Sequence, residues 1–255
     1  MSGKSKLQLP NVTLVAMTSV NIYETVRAMC YSMRDIEFGD AVLVTDKKPW
    51  FLPKSIRYSH TSRLDSIDKF NYKMVYELKD HINTDFCLVV HADGFVIHPE
   101  LWRDEFLDYD YIGSPFPMPT NDYAYRDKKG EISRVGNSVS IRSKRLLDYP
   151  SEHNLKWEKG FDDYYNEDIF LCCLAKNEME EHGLKWAPLD VAVKFGREHM
   201  IPENKGVEPF VFHKWRGENS GYPHFYSPKK RFKMAVRPLL FWRKSEKWKK
   251  EHGLQ

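Results

Sequence analysis

The first hundred residues alternate between apolar blocks of two different periods. Val12 to Thr18 (VTLVAMT) is β-branched and almost uncharged, as in a strand buried on both faces. From Asn21 to Met33 the period becomes helical. Val26, Met29, Cys30 and Met33 form one face, Asn21 stands at the cap and Glu24 at the third position. Ala41 to Thr45 predicts a second strand, ending at Asp46. Asp68 to His81 predicts a second helix with Phe70, Met74, Val75 and Leu78 inward, and Phe86 to Val90 a third strand. The order β-α-β-α-β predicts a doubly wound α/β half.

Beyond this the pattern loosens. Pro99 to Leu107 predicts a short helix with proline near its start, and Tyr109 to Ile112 a short strand. Pro115 to Lys129 is a polar, proline-rich loop long enough to be a lid, and it carries Tyr123 and Tyr125. Glu131 to Arg142 reads as a strand bent at Gly136, and Asn154 to Tyr165 as an aromatic, charged surface excursion. Asn166 to His182 predicts a helix stopped by Gly183. Trp186 to Phe195 and Pro209 to His213 are expected to add strands.

The 255 residues suit one large domain or a domain with an appendage, and the 42% hydrophobic content with 14 Tyr and 15 Phe excludes general disorder. The four cysteines lie in apolar segments without CxxC spacing, so a reducing compartment is expected rather than a zinc site or a disulfide framework. Met1 to Pro10 lacks the apolar centre of a secretory signal, and no apolar run reaches the roughly 18 residues of a membrane span. The net charge of +3 is uneven. Lys229 to Lys250 holds ten Lys/Arg against Glu246 and carries +9, which leaves −6 for the remainder. This segment interleaves Phe232, Leu239, Phe241, Trp242 and Trp248 with its charges. It reads as a packed helix with a basic outer face, kinked at Pro238, or as an interfacial segment on an anionic membrane. No nucleic-acid motif accompanies it, so nucleic acid is not an expected partner. The expected division is a flexible N-terminus at residues 1–8, one domain at 9–228 and a basic aromatic tail at 229–255.

Candidate chemistry starts where the apolar run Leu88-Val89-Val90 meets His91-Ala92-Asp93-Gly94. The carboxyl end of such a strand is where an open α/β sheet places its ligands, and a carboxylate there can hold a divalent metal shared with a diphosphate. A plain Asp-Gly turn is the competing reading. His91, two residues earlier, projects to the same side as Asp93 on an extended chain. Asn166-Glu167-Asp168 reads as a helix-capping device, or as the seat of a general base kept ionised by the helix N-terminus. Gly136 permits a bend or a close backbone approach to a ligand, and Arg142 alone reads as a surface charge. His213, closing Pro209 to Phe212, is either a satisfied buried histidine or, if the fold brings it to Asp93, a second metal ligand on Mn²⁺ or Mg²⁺.

Taken together these segments resemble the GT-A class of nucleotide-sugar glycosyltransferases. More closely, the chain resembles an uncharacterised family of glycosyltransferases from microbial surface-polysaccharide loci. The shared blocks are LPNVTLVAMTSV (Leu9–Val20), TDFCLVVHADGFVIHPELW (Thr84–Trp102), YDYIGSPFP (Tyr109–Pro117), VGNSVSIRSKRLL (Val135–Leu147), NEDIF (Asn166–Phe170) and PFVFH (Pro209–His213). The resemblance implies a Rossmann-like GT-A α/β fold, with a mixed, mostly parallel sheet flanked by helices and a basic amphipathic C-terminal tail. It implies a nucleotide-diphosphate sugar donor, UDP being the expected nucleotide, and a glycan or lipid-linked glycan acceptor. The setting it implies is polysaccharide or lipopolysaccharide synthesis in the cytoplasm, peripheral on the inner face of the membrane. Thr18, Ser19, Val20 and Asp46 would line the nucleotide pocket, and Lys73 would reach the diphosphate. His91-Ala92-Asp93 stands where GT-A enzymes carry Asp-x-Asp, so Asp93 would bind Mn²⁺ or Mg²⁺ with His213 as the late ligand. Gly136 and Asn137 would line the donor-sugar and acceptor side. Asn166-Glu167-Asp168 resembles the xED element of inverting enzymes, with Asp168 the base expected first and Glu167 second. Two positions depart from the pattern: His91 replaces the first Asp, and Ser138 replaces a glycine. A retaining transferase or nucleotidyltransferase on the same sheet, and a non-catalytic sugar-nucleotide or glycan-binding module, are the alternatives.

Overall fold

A computed structural model describes residues 5–228 and 230–232. The chain divides into two compact units, Met1–Pro223 and His224–Gln255, and everything below up to Pro223 belongs to the first. Most of the 229–250 segment, with the membrane and packed-helix readings of it, lies outside the described residues.

Six strands form the main sheet: β1 (Leu7–Met17), β2 (Ile36–Thr45), β3 (Arg57–His60), β4 (Phe86–Val89), β5 (Tyr111–Pro115) and β6 (Val135–Ser143), in the order β3-β2-β1-β4-β6-β5. The first four run parallel, and β6 is antiparallel to both β4 and β5. This is the mixed, mostly parallel sheet that the resemblance implies. β1 and β4 lie inside it, and Leu14, Val15, Leu88 and Val89 are fully buried. Helix α1 (Ile22–Ser32) crosses from β1 to β2, and α2 (Ile67–Tyr76) precedes β4. The carboxyl ends of β1, β2 and β4 therefore share one edge.

Several local expectations change. β3 (RYSH) carries no apolar signal because it is an edge strand with half-exposed and exposed side chains, tied down by an Arg57–Asp40 ion pair at 2.7 Å. Asn21 does not cap α1 with its side chain. It adopts a left-handed backbone (φ 49°), and its carbonyl accepts from the Thr25 N–H. The helix predicted to reach His81 ends at Tyr76 and continues as a 3₁₀ turn, Leu78–His81. Pro99 to Leu107 forms two 3₁₀ turns. After α3 (Lys144–Glu152), the continuous helix expected over Asn166 to His182 is broken. One turn of α4 (Glu167–Ile169) runs into a π-turn, Phe170–Leu174, and then α5 (Lys176–Glu181). The wider turn buries four consecutive side chains, Phe170 to Cys173. Gly183, at φ +82°, stops the element where predicted. The segment Trp186 to Phe195 is not a strand: it contains α6 (Leu189–Phe195).

A second small sheet decides where His213 goes. β7 (Gly196–Arg197) pairs in parallel with β8 (Val211–Phe212), and Val211 bridges Val96 just beyond β4. Phe95, Phe106, Phe195, Phe210 and Phe212 are fully buried, with Phe95 edge-on to Phe212 at 4.8 Å. Rings of this size contribute most of the apolar area in a core. Here they clamp the end of β8 beside the turn that follows β4. Cys87, Cys172 and Cys173 are free and buried, and Cys30 is free and half-buried.

β5 and β6 approach so closely that a Cβ on Gly113 would lie 1.8 Å from the Gly136 carbonyl oxygen. Gly113→Ala is expected to cost at least ~1–3 kcal/mol in urea unfolding, through forced backbone displacement. Gly221→Ala, where nothing lies within 4 Å, is expected to stay within ~0.5 kcal/mol of the parent chain.

Candidate active site

At the end of β4 the His91 N–H donates to the Gly94 carbonyl at 2.7 Å, and the Gly94 N–H donates back at 3.3 Å. Ala92 and Asp93 form the tip of this tight turn. Asp93 sits in this Asp-Gly turn and lines a cleft of about 690 Å³ at the carboxyl edge of the sheet. The turn is pinned to the end of β8 by the Lys214 N–H donating to the Asp93 carbonyl at 2.7 Å. Gly94 leaves the room this requires, since a Cβ there would fall 2.8 Å from the His213 ring.

His213 is the organising side chain. It is 9% exposed. Its Nδ1 lies 2.8 Å from Asn137 Oδ1 and 3.0 Å from Glu198 Oε2, so Nδ1 carries the proton and donates. Nε2 faces the cleft, 3.8 Å from Asp93 Oδ1. Burial alone would raise the Glu198 carboxyl, but hydrogen bonds from His199, His213 and Lys214 hold it far below the usual carboxylate range. Lys214 Nζ reaches it at 2.5 Å. Asn137, at φ +81°, takes a backbone conformation rare for a side-chain-bearing residue.

Across the cleft two adjacent acids meet different surroundings. Glu167 is buried and forms an ion pair with Arg142 at 3.4 Å. Arg142, read from the sequence as a surface charge, is fully buried instead. It donates to Ser140 Oγ at 3.0 Å and to the Met74 carbonyl at 3.4 Å. Among the described residues no cation pairs with Asp168. Its Oδ1 accepts from the Ile169 N–H at 2.9 Å, and burial, reinforced by the Glu167 charge, raises its pKa to about 7. Burial thus works against the ionised state that a helix N-terminus was expected to favour.

The structure brings most of the other candidates to the same cleft. Thr18, Ser19 and Val20 line it, as do His91, Ala92 and Asn137. Asp46, the residue after β2, is not among the lining residues and is linked to the cleft only through Ser19. A hydrogen bond from Ser19 is the main cause of its lowered pKa. Lys73 is not among the lining residues: it is buried in α2, and its ammonium pairs with Glu77. Gly136 does not face the cleft either. It makes room for the Phe116 ring, 1.9 Å from where a Cβ would stand. His91 points at Ser138, Nε2 to Oγ 2.8 Å, and burial with the nearby His213 lowers its pKa to about 4. The two departures from the family pattern, His91 and Ser138, thus touch each other. Sequence reasoning missed Glu198 and Lys214, which carry no local motif. It also missed the aromatic wall in which Phe116 stacks on Tyr125 (4.5 Å) and Tyr125 meets Phe161 edge-on (5.1 Å). Of the two tyrosines singled out in the loop, Tyr125 lines the cleft and Tyr123 is exposed.

Two stability measurements follow from these surroundings. Glu167→Ala leaves Arg142 buried without its carboxylate and is expected to cost ~3–5 kcal/mol in denaturant unfolding. A carboxyl with a raised folded-state pKa contributes stability below its ordinary pKa and loses it as pH rises through about 7. Asp168→Asn, which cannot ionise, should therefore melt above the parent chain at about pH 8, with the gap closing toward about pH 4.

Comparison with known proteins agrees with this architecture. No curated protein matches the chain. Among solved structures it is similar to an active-site mutant of LgtC, at 12% identity and a TM-score of 0.50, over 82% of this chain and 91% of that one. It is also similar to the apo form of the glycosyltransferase GlyE of Streptococcus pneumoniae TIGR4, at 10% identity and a TM-score of 0.41, over 88% and 57% of the two chains. A third is S. aureus TarS in complex with UDP-GlcNAc, at 10% identity and a TM-score of 0.41, over 84% and 62%. The chain thus spans less than two thirds of these last two. The LgtC likeness shows a shared fold, the mixed α/β, GT-A-like fold. The model of the family described as protein of unknown function DUF5672 matches residues 55–213, more than half of the chain and the whole stretch from Asp93 through Asp168 to His213. The chain belongs to the DUF5672 family.

Proposed function

We propose that the chain is an inverting glycosyltransferase. It would move a sugar from a nucleotide-diphosphate donor, expected to be a UDP sugar, to a hydroxyl of a glycan or lipid-linked glycan. The observation that carries this reading is His213, held by Glu198 and Asn137 so that Nε2 faces Asp93, in the same cleft as the Asp168 carboxyl poised at about 7.

The donor set fits a hard or borderline divalent ion. One carboxylate and one neutral imidazole leave positions for diphosphate oxygens and water. A carboxylate behind the imidazole is the usual support for a metal-bound histidine. Among the described residues no cluster of three or more His, Cys, Asp or Glu is placed to hold an ion, so the diphosphate itself would complete the site. Asp93 and His213 would hold Mn²⁺ or Mg²⁺, and its chemistry there is Lewis-acid neutralisation of the leaving nucleotide diphosphate.

The protein's own residues do the rest. Thr18, Ser19, Val20 and Asp46 flank the nucleotide side. Asp168 takes the proton from the acceptor hydroxyl, and a pKa near the working pH suits a base in that role. The acceptor oxygen bonds to the anomeric carbon as the bond to the diphosphate breaks on the opposite face, which gives inversion. Glu167 is committed to Arg142, so Asp168 is the carboxylate left to act. Phe116, Tyr125 and Phe161 wall the acceptor side and limit the access of water that would hydrolyse the donor.

With a nucleotide sugar and Mn²⁺, kcat/KM should rise through about pH 7 to a plateau as free Asp168 ionises. Asp168→Asn should lower turnover by ~10²–10⁴-fold with nucleotide affinity kept. NMR of the released glycoside should show the anomer opposite to the donor's. A product of retained configuration, or an Asp168→Asn chain with normal turnover, contradicts the proposal. Thermal shift with UDP should gain a Mn²⁺-dependent component in the parent chain and lose it in Asp93→Ala and His213→Ala.

A further inference from the structure

Past Asp46, the segment between β2 and β3 has no part in the proposed site, yet it carries the most exposed large apolar side chain among the described residues. Trp50 is 94% exposed. It meets Phe51 edge-on at 5.6 Å, and Phe51 meets Tyr23 of α1 at 5.6 Å, so the tryptophan stands on a fixed aromatic base. Lys47 and Lys48 precede it in the chain and Lys54 follows it, all exposed. No acid occurs between Asp46 and Asp65, and Asp46 is engaged by Ser19. In a body whose net charge outside the tail is negative, this is a local positive island with an apolar tip.

An exposed indole costs solubility and adds nothing to the core, and three lysines on the same loop favour an anionic partner over a basic one. A tryptophan flanked in sequence by lysines matches the two layers of a lipid interface: an acyl–headgroup boundary for the ring and anionic headgroups for the ammoniums. The position adds a consequence. The loop leaves the carboxyl end of β2, the edge that carries the cleft. Val20 and Ile67, both 63% exposed, line the cleft mouth at the same edge.

We infer that the Lys47–Lys54 loop docks on an anionic lipid bilayer, Trp50 entering the interface and Lys47, Lys48 and Lys54 meeting the headgroups. The cleft mouth then opens close to the membrane surface, where a lipid-held acceptor would be presented. Docking rests on the loop alone; only this last consequence rests on the proposed activity.

The test is co-sedimentation of the full chain with vesicles of phosphatidylcholine containing phosphatidylglycerol, against phosphatidylcholine alone. Binding should require the anionic lipid and weaken as salt is raised. At about fivefold per lysine, Lys47→Gln with Lys48→Gln should weaken it roughly 25-fold. Trp50→Ala should weaken it on the order of tenfold. Both variants should keep the parent melting temperature and the parent turnover of a soluble acceptor. Absence of pelleting, equal pelleting on phosphatidylcholine alone, or a variant that pellets like the parent overturns the inference. A chain that pellets as expected but turns over no donor leaves the docking standing and counts against the glycosyltransferase reading instead.

Discussion

A carboxylate taken out of water must be paired or neutralised, and Glu198 is only 6% exposed. It stays ionised because three cationic or donor groups converge on it, and two of them, His213 and Lys214, come from the end of β8. This need for partners holds the ends of β7 and β8 together and fixes which nitrogen of His213 is protonated. It also turns Nε2 toward Asp93. The same β8 end holds the Asp93 turn through the Lys214 N–H. The geometry of the cleft floor is thus a consequence of satisfying one buried charge.

The opposite wall works by leaving a charge unsatisfied. Glu167 and Asp168 are neighbours, but Arg142 reaches only Glu167. Asp168, buried beside the Glu167 charge and without the cation, has its pKa raised to about 7. Arg142 is itself held by Ser140 and the Met74 carbonyl, so the arrangement rests on β6 and α2 rather than on a loop. The stability given up at Asp168 is of the kind a functional site retains.

The first half of the fold was legible because β1 and β4, buried on both faces, leave continuous apolar runs, and α1 and α2 leave a helical period. The edge strand β3 was not legible, since nothing in RYSH is apolar. Leu189 to Phe195 misled because a short β-branched apolar run fits a strand or a buried helix equally well. In the site, Asp93, Asp168 and His213 could be named as strand and helix ends, and the cleft contains all three. The roles of their supports could not be read. Arg142 looks like a surface charge until its partner 25 residues away is seen. Glu198 is a single acid with no motif. The burial that opposes ionisation of Asp168 could not be read either, because the sequence suggests one long helix where the chain makes one turn and a π-turn. Lys73 and Gly136 serve packing: one pairs within its own helix, the other admits a ring.

The central claim is that His213 and Asp93 form one half of a metal–diphosphate site facing Asp168. The most direct measurement is anomalous scattering from crystals grown with UDP and Mn²⁺. The account predicts a single manganese peak bonded to His213 Nε2, to an Asp93 oxygen and to the diphosphate, with Nδ1 still on Glu198. Nucleotide bound in the cleft with no manganese between these two side chains would contradict it.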